Sequence, residues 1–169
     1  MSIGKSLLPE FEHEMANTRK TLERVPDSRF EYKPHAKSPT MGWLAGHLAN
    51  LPSWIIITFD RDELDVAPKE GEAMKLPVPK NTREVLEIFD KNVAAAKEKL
   101  SSASDDAFMQ PWSLKARGEV KFTMPKVAVV RGFVLNHIIH HRAQLGVYLR
   151  LNDLPVPSIY GPSADEGAF

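Results

Sequence analysis

The sequence predicts an all-α protein: a four-helix bundle of up-down type with a long crossover, and a small β-hairpin before the last helix. Three observations carry this. Four segments repeat apolar residues at spacings of three and four. A proline-bearing, charged connection of about twenty residues separates the second from the third. A short stretch before the fourth switches to an alternating pattern. Residues 1–169 contain no repeat, low-complexity tract or break in composition, so one domain spans them.

The first helix is expected over about Ser6 to Arg24, with Leu7, Leu8, Phe11, Met15, Thr18 and Leu22 on its apolar stripe. Glu10, Glu12 and Glu14 place negative charge near its start, where the helix dipole favours it, and Pro26 marks its end. The second opens with Ser38 as N-cap and Pro39 at the first helical position, where a missing N–H costs nothing. It runs through Trp43, Leu44, His47, Leu48 and Leu51 toward Phe59, with a kink at Pro52. Asp60 to Lys80 reads as the crossover. The third helix starts at the cap Asn81 with Glu84 three residues on, a capping-box spacing, and carries Val85, Ile88, Phe89, Val93, Ala96 and Leu100. Between Gln110 and Met124 the alternation of Trp112, Leu114, Val120 and Phe122 around Arg117-Gly118 predicts the hairpin. The fourth helix is expected as one piece from Pro125 to Leu151, followed by an extended tail across the bundle surface.

Lys+Arg 22 balance Asp+Glu 22, so no overall field draws the chain to nucleic acid or anionic lipid. The absence of cysteine excludes a disulfide framework, a thiolate metal site and a cysteine nucleophile. No apolar run approaches the ~20 residues of a membrane span, and the first residues do not resemble a secretion signal. Together these predict a cytoplasmic protein with neither nucleic-acid nor membrane partners.

The chemistry concentrates in the histidines. His137 and His141 lie four apart, about 40° from one another around a helix, on the side of Val130, Val134 and Tyr148. His140 points about 100° away from His141. A histidine pair at this spacing arises readily by chance, and a lone buried histidine usually bonds to backbone. The weight comes from conjunction: a third histidine, His47, sits on the apolar stripe of the second helix behind Gly46. Three unpartnered imidazoles inside a bundle would be costly, whereas three around one divalent ion satisfy one another. Ile138 follows the first histidine where a zinc-protease helix carries glutamate, so no base comes from that motif. Three neutral ligands leave open positions, the composition of a catalytic centre. Asn50 and Gln144 share helical faces with the histidines as candidates to orient them. His13 and His35 read as surface residues, and Arg131, Arg142 and Arg150 as a solvated face or dimer contacts. Trp43, Trp54 and Trp112 read as core.

The stretch Asn136-His137-Ile138-Ile139-His140-His141-Arg142-Ala143-Gln144-Leu145, then Tyr148-Leu149-Arg150, closely resembles the last helix of the DinB-like family of four-helix-bundle metalloproteins. Met41-Gly42-Trp43-Leu44-Ala45-Gly46-His47-Leu48 resembles that family's second helix, and Tyr160-Gly161-Pro162-Ser163-Ala164-Asp165-Glu166 the tail of one subgroup. The resemblance implies a three-histidine metal centre at His47, His137 and His141 holding a divalent transition metal such as Zn, Ni or Fe. It also implies a small-molecule substrate, a low-molecular-weight thiol as candidate co-substrate, and a homodimer. Relatives of this kind are thiol-dependent transferases, a thiol-dependent isomerase and metal-dependent hydrolases. The expectation is therefore an S-transferase or hydrolase whose ion activates a thiol or water. A non-enzymatic metal- or small-molecule-binding stress protein is the alternative, and no catalytic residue beyond the ligands is assigned.

Overall fold

In the computed structural model, residues 2–167 are described. Helix α1 spans Ile3–Leu22, earlier than expected, because Ser2 caps it by accepting from the Lys5 N–H. Its first turn therefore holds no acid; the glutamates lie further along, and Arg19 and Lys20 complement the C-terminal end of the dipole. A loop and a short 3₁₀ turn lead to α2 (Met41–Asn50) and α3 (Ser53–Asp60). The cap of α2 is Thr40 rather than Ser38, with Thr40 Oγ1 accepting from the Trp43 N–H at 3.0 Å. Met41 and Gly42 donate their N–H groups back to Tyr32 O and Phe30 O, which ties the helix start to the preceding loop. A Cβ at Gly42 would lie 2.4 Å from the Phe30 ring, so only glycine permits that approach. Pro52 separates α2 from α3 as anticipated.

The connection that follows is not featureless. Glu63–Asp65 forms β1, parallel to β2 (Pro111–Ala116), which pairs antiparallel with β3 (Glu119–Pro125). The hairpin is as read from the sequence; the third strand is an addition, and three residues are too few to show alternation. Arg117 and Gly118 both adopt positive φ, 58° and 78°, and their N–H groups donate to the Asp65 carboxylate. Helix α4 (Thr82–Ser102) is capped by Asn81, which accepts from the Glu84 N–H at 2.9 Å. A short α5 (Asp105–Met109) precedes the sheet.

The last helical stretch is not one α-helix. It comprises α6 (Lys126–Val129), a π-helical segment (Val130–Asn136) and α7 (His137–Arg150). The main inter-helix contacts run α1 to α4, α4 to α2, α2 to α7 and α7 to α1, closing a ring around the core. Phe11, Leu22, Leu48, Phe89, Leu100, Leu135 and Leu145 fill it with almost no exposure, each contributing roughly 1.5–3 kcal/mol by burial. Trp112, Leu64 and Val129 form a second cluster beneath the sheet. Trp112 is thus a core residue as expected, but Trp43 is 54% exposed. The fold is mostly helical with a small three-stranded sheet. Among the described residues no helix is long and apolar enough to cross a membrane.

The tail does lie across α1 and α7. Asp165 pairs with Arg150, and Glu166 with Arg24. Arg142 is neither solvated nor at a contact face, contrary to its sequence reading. It is buried with Glu14 at 2.7 Å, and also donates to Glu14 O at 3.0 Å and Thr18 Oγ1 at 3.2 Å. Tyr160 closes this cluster by donating its hydroxyl to Glu14 Oε2 at 2.7 Å and accepting from Arg142 at 2.5 Å.

Candidate metal centre

Helix α2 presents His47 and α7 presents His137 and His141, one turn apart. Each residue offers one ligand atom, and the three atoms lie within 4.8 Å of one another. His47 Nε2 and His137 Nε2 are 3.3 Å apart. Two imidazoles on one tetrahedral ion, each at ~2.0–2.1 Å, would stand roughly 3.3–3.4 Å apart, so this pair already has metal-ligand spacing. Ring centroids of 5.0, 4.7 and 4.6 Å complete the triangle.

The outward nitrogens are committed in a way that frees the inward ones. His137 Nδ1–H donates to Phe133 O at 3.3 Å, and His141 Nδ1–H donates to Gln144 Oε1 at 2.7 Å. Both partners only accept, so the proton belongs on Nδ1 and the Nε2 lone pair faces the centre. At the junction where the π segment ends, the His137 N–H bonds to Val134 O, three residues back, and the His137 ring bonds the Phe133 carbonyl, four residues back. Gln144 is itself oriented, since its Nε2 donates to His140 Nε2 at 3.1 Å. Asn50, the other candidate orienter, does something else: its amide donates to Gly46 O and Pro77 O, both at 2.9 Å.

The rings do not sit in the bundle interior, as the sequence suggested. All three are half-buried, while Ile138, Arg142, Leu145 and Leu149 carry the fully buried face of α7. The histidines flank that face, on a wall between α2 and α7 that solvent reaches. His13 and His35 are exposed, as expected. Trp43, one turn before His47, stacks on its ring at 4.9 Å with planes 12° apart. The four-residue spacing that drew attention to His137 and His141 also relates Trp43 to His47, and could have flagged it.

All three histidines are held below the ordinary imidazole range. Burial is the main cause for His47, pushed down to about 4, with His141 and His137 adding repulsion. Burial leads for His137 as well, followed by repulsion from His141. For His141 burial leads again, opposed by the Gln144 hydrogen bond. The neutral, ligand-competent form is therefore favoured, and among the described residues no carboxylate joins the group. Because the folded pKa lies below the unfolded one, protons bind the unfolded chain preferentially between about 6.5 and 4. The metal-free protein is expected to lose stability as pH falls through that window, and His47→Asn to flatten the loss. Urea melts at pH 7 and pH 5 measure it; equal slopes for both proteins would contradict the assigned shift.

Gln144→Leu removes the acceptor for His141 Nδ1–H and is expected to weaken metal affinity about 10- to 100-fold. A chelator-competition titration reads this directly, and unchanged affinity would deny the glutamine an orienting role.

A model of the DinB family matches residues 1–168. The uncharacterized protein YrdA of Bacillus subtilis (strain 168) is 28% identical over 161 residues, 95% of this chain and 90% of that protein. Among solved structures, a DinB-like protein from Bacillus cereus ATCC 10987 superposes with a TM-score of 0.72 at 24% identity, covering 94% of this chain and 98% of that one. YfiT from Bacillus subtilis, described as a probable metal-dependent hydrolase with an unusual four-helix bundle topology, gives 0.67 at 15% identity, covering 89% of this chain and 87% of that one. Those two likenesses bear on the fold. The family match covers nearly the whole sequence: this chain belongs to the DinB family.

Proposed function

We propose that this protein is a metal-dependent enzyme acting on a small molecule, either as a hydrolase or as a thiol-dependent S-transferase. His47, His137 and His141 would hold a divalent transition ion such as zinc, nickel or iron. The carrying observation is the convergence of the three imidazoles, with the Nδ1–H groups of His137 and His141 already spent on Phe133 O and Gln144 Oε1. A divalent ion bound by neutral ligands supplies Lewis acidity, which lowers the pKa of a thiol or water toward neutrality.

The chain's own contribution is positional. Phe133 O and Gln144 fix two ring tautomers, Trp43 braces the third ring by stacking, and the half-buried setting leaves one side open to a reactant. With no cysteine in the chain, a thiol in the reaction comes from outside. YfiT's description as a probable metal-dependent hydrolase supports the hydrolytic version. We further propose that the protein works in the cytoplasm as a homodimer of single-domain chains, without nucleic-acid or membrane partners. Its helices would follow an up-down order with Asp60 to Lys80 as the crossover.

Metal analysis of protein purified without a metal-affinity tag is the first test, with about one equivalent of a transition ion expected per chain. Far less than a stoichiometric amount would end the metal reading. Turnover of an electrophile panel with and without added thiol then separates the reactions: product with water alone marks the hydrolase, strict thiol dependence the transferase.

A further inference from the structure

Beside His47 lies a cavity of about 410 Å³ that neither His137 nor His141 lines. Helix α2 is its floor. Phe30 and Glu31 stand at one end, Leu76 to Pro79 form the far wall, and Trp43 and His47 connect it to the histidine cluster. The far wall belongs to the connection between α3 and α4, and it is fixed rather than loose. Pro77 and Pro79 restrict its backbone. Asn50 donates to Pro77 O, and Pro79 packs so closely that a Cβ on Gly46 would lie 2.9 Å from its ring. The cavity is therefore formed before any ligand arrives, with a volume suited to a compact small molecule.

Its chemistry is one-sided. The walls are mostly aromatic, aliphatic or proline, and no lysine or arginine lines them. Glu31, exposed at one end, forms none of the ion pairs among the described residues. At the inner end Asn50, only 5% exposed, has both amide hydrogens committed to Gly46 O and Pro77 O and so offers an entering ligand no donor. The free Glu31 carboxylate calls for a donor, and an anion entering here would lose its hydration without a counter-charge.

We infer that this cavity is the binding site for the non-thiol substrate, and that it selects a flat apolar molecule bearing an amine or another hydrogen-bond donor against carboxylates and phosphates. The apolar body packs along Trp43, Phe30 and the Pro77–Pro79 wall, and the donor is read by the Glu31 carboxylate. The inference rests on the histidine cluster being the reaction centre, which the cavity adjoins through the Trp43–His47 stack.

Three matched probes test it: 2-naphthylmethylamine, 2-naphthylmethanol and 2-naphthoate. Their binding is measured by titration calorimetry on the protein as purified, and again after chelation so that no ion can hold a probe directly. The amine is expected to bind roughly tenfold more tightly than the carboxylate, with the alcohol between. Glu31→Gln should close the gap between amine and carboxylate and leave the alcohol unchanged. Trp43→Ala, at a position 54% exposed, should weaken amine and alcohol alike by about tenfold. A carboxylate bound as tightly as the amine, indifference to Trp43→Ala, or no binding of any probe near 1 mM (about −4 kcal/mol) would each overturn the assignment. The two proposals fail separately. Correct probe ranking without stoichiometric metal sinks the metal enzyme, whereas stoichiometric metal without probe ranking sinks only the cavity.

Discussion

Replacing Arg142 with alanine is expected to cost about 3–5 kcal/mol of folding stability, because it strands a buried carboxylate. Arg142 and Glu14 are 4% and 5% exposed, and among the described residues no other cation pairs with Glu14. The arginine also satisfies Glu14 O, Thr18 Oγ1 and the Tyr160 hydroxyl, so one truncation leaves several polar atoms unpartnered. Equilibrium denaturation in urea measures the loss. The same logic predicts a rescue: combining Glu14→Leu, Arg142→Met and Tyr160→Phe removes both buried charges and the tyrosine hydroxyl together, leaves the Thr18 hydroxyl bonded to the backbone O of residue 14, and should recover much of the stability. A single Arg142→Ala variant within 1 kcal/mol of the parent (about a fivefold change in the folding constant) would mean that the cluster is solvated. Its burial would then not hold in solution.

His47→Ala is expected to reduce metal affinity by at least about 100-fold, since it removes a whole ligand rather than a partner of one. The two remaining imidazoles share a single helix turn and make only a weak site. Loss of turnover should follow the loss of metal. Asparagine at the same position separates ligation from packing, because it keeps a polar side chain of moderate size beneath Trp43. Metal-binding isotherms for the two variants should be equally weak, while near-ultraviolet circular dichroism of the asparagine variant stays close to the parent. Retained stoichiometric metal in either variant would show that the ion, if bound, sits elsewhere.

Much of the architecture could be read from local signals. Asn81 with Glu84 marked the start of α4, Arg117-Gly118 marked the hairpin turn, and Pro52 marked the break between α2 and α3. The histidines were legible for a similar reason, since three of one ligand type on two periodic stripes is a pattern within single helices. What escaped depends on distant partners. Arg142 reads as a surface cation on its own helix and becomes a core residue only through Glu14, 128 positions away, and Tyr160, which meets Glu14 across 146. Strand β1 exists because β2 offers an edge to pair with, and three residues carry no pattern of their own. Trp43 escaped because apolar size argues for burial, while stacking on a partly exposed histidine keeps it at the surface. The π-helical segment has no proline or glycine pair to announce it, although Gly132 lies within it.

That looser winding from Val130 to Asn136 has a geometric consequence. Each residue advances an α-helix by ~100° and a π-helix by less, so seven residues wound this way turn the chain about as far as six in ordinary winding. One residue is thus absorbed between Val129, anchored under the sheet, and Leu145, anchored in the main core, without turning one against the other. Residue count and winding across these seven positions, taken together, thus set the bearing of two of the three imidazoles. Related chains one residue shorter there should be read as ordinarily wound, with a centre aimed nearly the same way.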